Sequence, residues 1–203
     1  MTKAKITSPD LGLRPKPETA HDGLGDLADH IVATHHAYLR QQIPRLKELI
    51  ERARADGRDE GTQLRAIHEL FDPFMAEVEL HMQREEELAF PMIRQLEKAL
   101  EDGGVYGGGL DVSIMDLRHD HAEATRVLGV FRALTDDYAI PGTASDVYAE
   151  LMTELEALEI DMIEHTRLEN EVLFPRAIAA QTRLIESPGA RTPHGPPPPD
   201  GPA

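Results

Sequence analysis

Apolar residues recur at alternating steps of three and four along four stretches of the chain, the spacing that gathers them on one face of an amphipathic helix. In the first stretch Val32, Leu39, Ile43, Leu46 and Ile50 predict a helix from about Asp26 to Ala55. In the second, Leu64, Ile67, Phe71, Phe74, Val78, Leu88 and Met92 predict a helix over 61–100. The third seam, Ile114, Leu117, Ala124, Leu128 and Phe131, predicts a helix from Val112 to Tyr138 with Asp111 or Ser113 as its cap. Thr143-Ala144-Ser145-Asp146 reads as a capping box opening the fourth helix, whose seam is Leu151, Leu155, Leu158, Met162 and Val172. Four such helices joined by short links predict an all-α, up-down-up-down antiparallel four-helix bundle over residues 26–186. Pro44, Pro73 and Pro91 fall inside these helices and predict bends.

The flanking segments lack this periodicity. Residues 1–25 mix Pro, Gly and charge and predict a mobile arm, and residues 187–203 form a proline-rich tail expected to be disordered. Asp102 to Gly109 is glycine-rich but lacks the Gly-Lys-Ser/Thr ending of a phosphate-binding loop, so it reads as an interhelix link.

Polar residues interrupt the seams at six places. His36 lies on the first seam, His81 and Glu85 on the second, His121 on the third, and His165 and Glu169 on the fourth. The neighbouring His35 and His119 step off their seams and are expected to point elsewhere, and His68 reads as a surface residue. The pattern H-x-x-x-E-x-x-x-x-F-P occurs twice, from His81 to Pro91 and from His165 to Pro175. His36 precedes His81 by 45 residues and His121 precedes His165 by 44, so the chain carries an internal duplication.

Six polar groups in a bundle interior must be satisfied, because an unpaired buried polar group costs on the order of 2–7 kcal/mol. A metal-free network, with each Glu accepting from imidazole N–H, is one solution. Two metal ions, each held by two His and bridged by both carboxylates, use every one of these groups and account for the duplication. Imidazole and carboxylate without thiolate suit iron, with manganese and zinc as competitors. An oxo or hydroxo bridge is expected between the ions, with at least one position open to an exogenous ligand. Glu77 and Asp161, one turn before His81 and His165, are candidate partners for the outer imidazole nitrogens, as are Glu86 and Asp120.

Composition narrows the chemistry. With 37 acidic against 21 basic residues the net charge is −16, which argues against a nucleic-acid partner. The absence of cysteine removes disulfides, thiolate nucleophiles and Cys-ligated clusters. No apolar run approaches the ~18 residues of a membrane span and no signal core opens the chain, so a cytoplasmic protein without a membrane partner is expected.

Residues 26–180 resemble the hemerythrin-like superfamily of di-iron bundles, and within it the di-iron domain of the proteins that repair iron centres. The resemblance rests on His81-Met82 with Glu85-Glu86 and Phe90-Pro91, on Asp120-His121, on Leu134-Thr135 with Tyr138 and Pro141, and on His165, Leu168-Glu169-Asn170 and Leu173-Phe174-Pro175-Arg176-Ala177. It implies a site of two non-haem irons held by His36, His81, Glu85, His121, His165 and Glu169. It also implies a stress-response protein that handles nitric oxide, peroxide or iron in the repair of iron–sulfur proteins. A reversible carrier or sensor of dioxygen or nitric oxide, and a peroxidase or catalase-like enzyme, are the alternatives. Two departures stand out. The repair proteins usually add a cysteine-containing N-terminal domain, and usually supply a fifth His where this chain reads Ala53 to Glu60.

Overall fold

A computed structural model describes residues 23–56, 62–104 and 106–186. The proline-rich tail, most of the N-terminal arm and the first interhelix link lie outside the described residues. Among the described residues, four long helices form an antiparallel bundle, the first packing on the second and fourth, and the third on the second.

Three of the four helices are interrupted by a wider turn with i→i+5 hydrogen bonding. The first helix runs Leu24–Ile31, widens over Val32–His36 and continues as Ala37–Asp56. The second runs Thr62–Arg84, widens over Glu85–Ala89 and continues as Phe90–Asp102. The third is a regular helix, Leu110–Leu134. The fourth runs Asp146–Arg167, widens over Leu168–Leu173 and continues as Phe174–Glu186.

The wide turns correct the expected seams. An extra residue in one turn rotates everything beyond it by about 100° relative to a regular helix. Leu88, expected to face inward, is 53% exposed, and the buried positions after Glu85 in this helix are Ala89, Phe90, Ile93, Leu96 and Ala99. Val172 is likewise only partly buried, while Leu173 and Phe174 are enclosed. Before the first wide turn the inward positions are Leu27, Ala28 and Ile31 rather than Val32. Within it both His35 and His36 are buried, so His35 is not the outward residue that regular spacing implied.

Helix ends and prolines differ from expectation too. The first helix starts at Leu24, two residues inside the expected arm, because the Glu97 carboxylate accepts from the Leu24 N–H at 2.6 Å and the Gly25 N–H at 3.0 Å. The third helix is preceded by Gly109 in the left-handed region at φ 88°, with no side-chain cap from Asp111 or Ser113. It stops at Leu134, since Asp136, Asp137 and Tyr138 all take positive φ. The Thr135 hydroxyl braces that turn, donating to the Phe131 carbonyl and accepting from the Tyr138 N–H. Ser145, not Thr143, caps the fourth helix through the Tyr148 N–H. The helices pass through Pro44 and Pro73 unbroken. Pro91 and Pro175 each sit just past a wide turn, where the ring escapes the clash with the carbonyl four residues back that a regular helix would impose.

The core is in two parts. One apolar cluster gathers Leu39 to Ala53, Leu64 to Met82, Leu128 to Tyr138 and Leu151 to Met162. The other gathers Leu24 to Ile31, Ala89 to Ala99, Leu110 to Leu117 and Leu168 to Ala180. The six polar seam residues lie in the layer between.

Candidate metal centre

All six polar seam residues converge in that layer, and His36, Glu85 and Glu169 have no exposed surface. They form two tetrads, His36, Glu85, His165 and Glu169 on one side and His81, Glu85, His121 and Glu169 on the other. Both carboxylates belong to both tetrads. Each divides its oxygens between the two sides. Glu85 Oε2 is 3.3 Å from His36 Nε2 and Oε1 is 3.2 Å from His81 Nε2. Glu169 Oε1 is 3.1 Å from His165 Nε2 and Oε2 is 3.1 Å from His121 Nε2.

Inward nitrogens also approach one another, His36 Nε2 to His165 Nε2 at 3.2 Å and His81 Nε2 to His121 Nε2 at 2.8 Å. An ion about 2.1 Å from each of two nitrogens at a right angle holds them about 3 Å apart. Both Glu85 oxygens and Glu169 Oε2 are buried without a hydrogen-bond partner among the described residues. A metal-free network would have to satisfy those oxygens, whereas cations satisfy them directly. The residues therefore fit a pair of cations.

Without cations, protons compensate the charge. Burial alone would lower the His81 imidazole, but the charge of Glu85 beside it, the charge of Glu169 and the Asp120 hydrogen bond outweigh it and raise the group to about 9. Burial likewise opposes, and Glu169 and Glu85 outweigh, at His165, which is also raised. Burial would raise Glu169, yet His165 and His121 hold its carboxyl well below the usual range.

Three of the four outer imidazole nitrogens are held from other helices. His36 Nδ1 donates to Glu86 Oε1 at 2.6 Å, and Arg40 binds the same oxygen. His81 Nδ1 donates to Asp120 Oδ2 at 3.2 Å, which Arg84 also contacts. His121 Nδ1 donates to Asn170 Oδ1 at 3.1 Å. Glu86 and Asp120 thus take the outer positions expected of them. Asp161 accepts from His35 instead of His165, and Glu77 is exposed, so neither holds the expected nitrogen.

The duplication is visible in these contacts. Phe90 stacks on His36 and Phe174 on His121, so each Phe-Pro phenylalanine packs the lone His of its own half. Glu86 and Asn170, each following a shared Glu, hold the same two histidines. Asn170 enters the sequence reading only as part of the family motif; its support of His121 is a role that the match with Glu86 in the repeat points to. His119 is exposed, and His68 pairs with Glu51 on the surface.

Residues 27–177 match the hemerythrin HHE cation binding domain. The chain belongs to this hemerythrin family. Such a domain carries a metal-binding site, and the paired tetrads are where these residues can form one. Among curated relatives, a protein of Enterobacter sp. (strain 638) named iron-sulfur cluster repair protein YtfE is 32% identical over 161 residues, covering 78% of this chain and 68% of the relative. A protein of the same name from Dickeya chrysanthemi is 33% identical over 181 residues, covering 85% and 75%. Among the described residues, no helix is long and apolar enough to cross a membrane.

Proposed function

We propose that this chain is a non-haem di-iron protein of the oxidative and nitrosative stress response, handling nitric oxide, peroxide or iron in the repair of iron–sulfur clusters. The observation that carries it is the division of the Glu85 and Glu169 oxygens between two His pairs, one oxygen to each side. His36 and His165 would ligate one iron, His81 and His121 the other, with both carboxylates bridging. Four nitrogens and two bridging carboxylates, with no thiolate, suit iron. Bound there, a pair of irons supplies reversible one-electron chemistry and open coordination positions for a small ligand.

The chain's own residues shape that chemistry. The two apolar clusters exclude bulk water from the layer, which strengthens every electrostatic interaction inside it. Glu86, Asp120 and Asn170 hold three imidazoles with Nε2 aimed inward. The names of the relatives support cluster repair as the role, and damaged iron–sulfur proteins are then the partners.

The test is elemental analysis of protein purified from iron-supplemented cells, with absorption spectra of the reduced form before and after peroxide or nitric oxide. About two irons per chain and near-ultraviolet bands that change with the added ligand are expected. A stable dioxygen adduct would favour the carrier reading, and sustained turnover of peroxide the enzymatic one. A folded, helical chain that takes up no iron would sink all three.

A further inference from the structure

The four inward imidazoles are not equally supported. His36, His81 and His121 each donate their outer nitrogen to a side-chain oxygen. His165 Nδ1 is buried and has no hydrogen-bond partner among the described residues. Its ring is 2% exposed.

The difference has a sequence origin. In the second half of the duplication the residue before the lone His is Asp120, whose carboxylate reaches across to His81 of the other half. In the first half the corresponding residue, before His36, is His35. His35 does lie beside His165, with parallel rings (4°) and centroids 5.4 Å apart, but its own Nδ1 bonds Asp161 Oδ1 at 2.8 Å. Stacking fixes the plane of a ring. It does not accept the outer N–H, which is the interaction that raises the donor strength of a ligating imidazole.

We infer that the two metal positions are unequal, and that metal leaves first from the position between His36 and His165. The position between His81 and His121 has both imidazoles supported. The other has one, His36, held through Glu86 and Arg40. His35 is the positioning residue responsible, because it stands where the duplication elsewhere places an acceptor. The inference rests on the two-metal reading and deepens it, since it assigns the exchange of a single iron to one side of the site. Outer partners of this kind change metal affinity about 10–100-fold.

The experiment is anaerobic loading of the full chain with ferrous iron, followed by release to an excess of a coloured ferrous chelator. The expected result is two iron equivalents released in two phases, the first about tenfold or more faster. Asp120→Ala removes support from the retained side and should accelerate the slow phase toward the fast one, whereas Asp120→Asn keeps an acceptor and should stay near wild type. His35→Asn offers His165 the kind of amide oxygen that His121 receives from Asn170 and should slow the fast phase. Two irons released at one rate, or an Asp120→Ala change that accelerates only the fast phase, overturn the inequality alone. A chain that loads fewer than two irons overturns the two-metal reading and this inference with it.

Discussion

At the scale of single residues, the shared carboxylates are the most consequential side chains. Glu169 contributes an oxygen to each side and is fully buried, so Glu169→Ala is expected to reduce bound iron from about two per chain to one or fewer, read by elemental analysis. His119→Ala, changing an exposed residue, should leave metal content at the wild-type level. Protons and metal compete for the same atoms. The metal-free chain holds His81 protonated up to about 9, above its ordinary 6.5. That raised value contributes stability fully present below about 6.5 and lost as pH rises through about 9, because across that window the folded state binds the proton and the unfolded state does not. Metal needs the neutral imidazole, so iron affinity should rise over the same window. Thermal unfolding of the metal-free chain at pH 6 to 10, beside an iron titration at each pH, checks both slopes. A metal-free stability that climbed with pH would contradict the charge arrangement described here.

At the scale of elements, the wide turns decide what the helices can present. Glu85 opens the second wide turn and Glu169 lies within the third, while His36 closes the first. Each lets one helix direct ligands inward and still bury the apolar residues on its far side, as Glu169 does with Leu173 and Phe174. Deleting the exposed Glu171 should turn the third wide turn into a regular one, rotating Glu169 against Phe174 by about 100°. Far-ultraviolet circular dichroism is expected to stay helical while iron content falls below one per chain. Full metal occupancy in that variant would show that the extra residue is not needed to place the ligands. The periodicity that located the helices could not show these turns, because averaged steps of three and four conceal one step of five. Leu88, Val172 and His35 were therefore misplaced, while residues before the turns, such as Val78 and Leu158, face the core as their spacing implied.

At the scale of the whole molecule, the centre is a polar layer tying four helices together between two apolar clusters. Ions held there touch every helix, so they bind the folded state and not the unfolded one. Binding of that kind stabilises by RT ln(1 + [L]/Kd), about 4 kcal/mol at a thousandfold excess over Kd. Chelation should lower the melting temperature by several degrees without loss of helix, since both clusters remain and protons compensate the buried carboxylates. Calorimetry of loaded and stripped protein checks this. Equal melting temperatures would mean that metal binds outside the layer.

By itself the sequence determined the four-helix class, the inward placement of His36, His81, Glu85, His121, His165 and Glu169, and the duplication relating them. These follow from local chemistry, helical periodicity and ligand spacing, which a linear chain carries in full. Only the tertiary structure decided which His pairs with which, how the carboxylates divide their oxygens, and that Asn170 supports His121 while His165 receives no such acceptor. Apart from each carboxylate's contact with the His four residues before it, those are contacts between residues from about 40 to 130 positions apart, set by how the helices turn and meet.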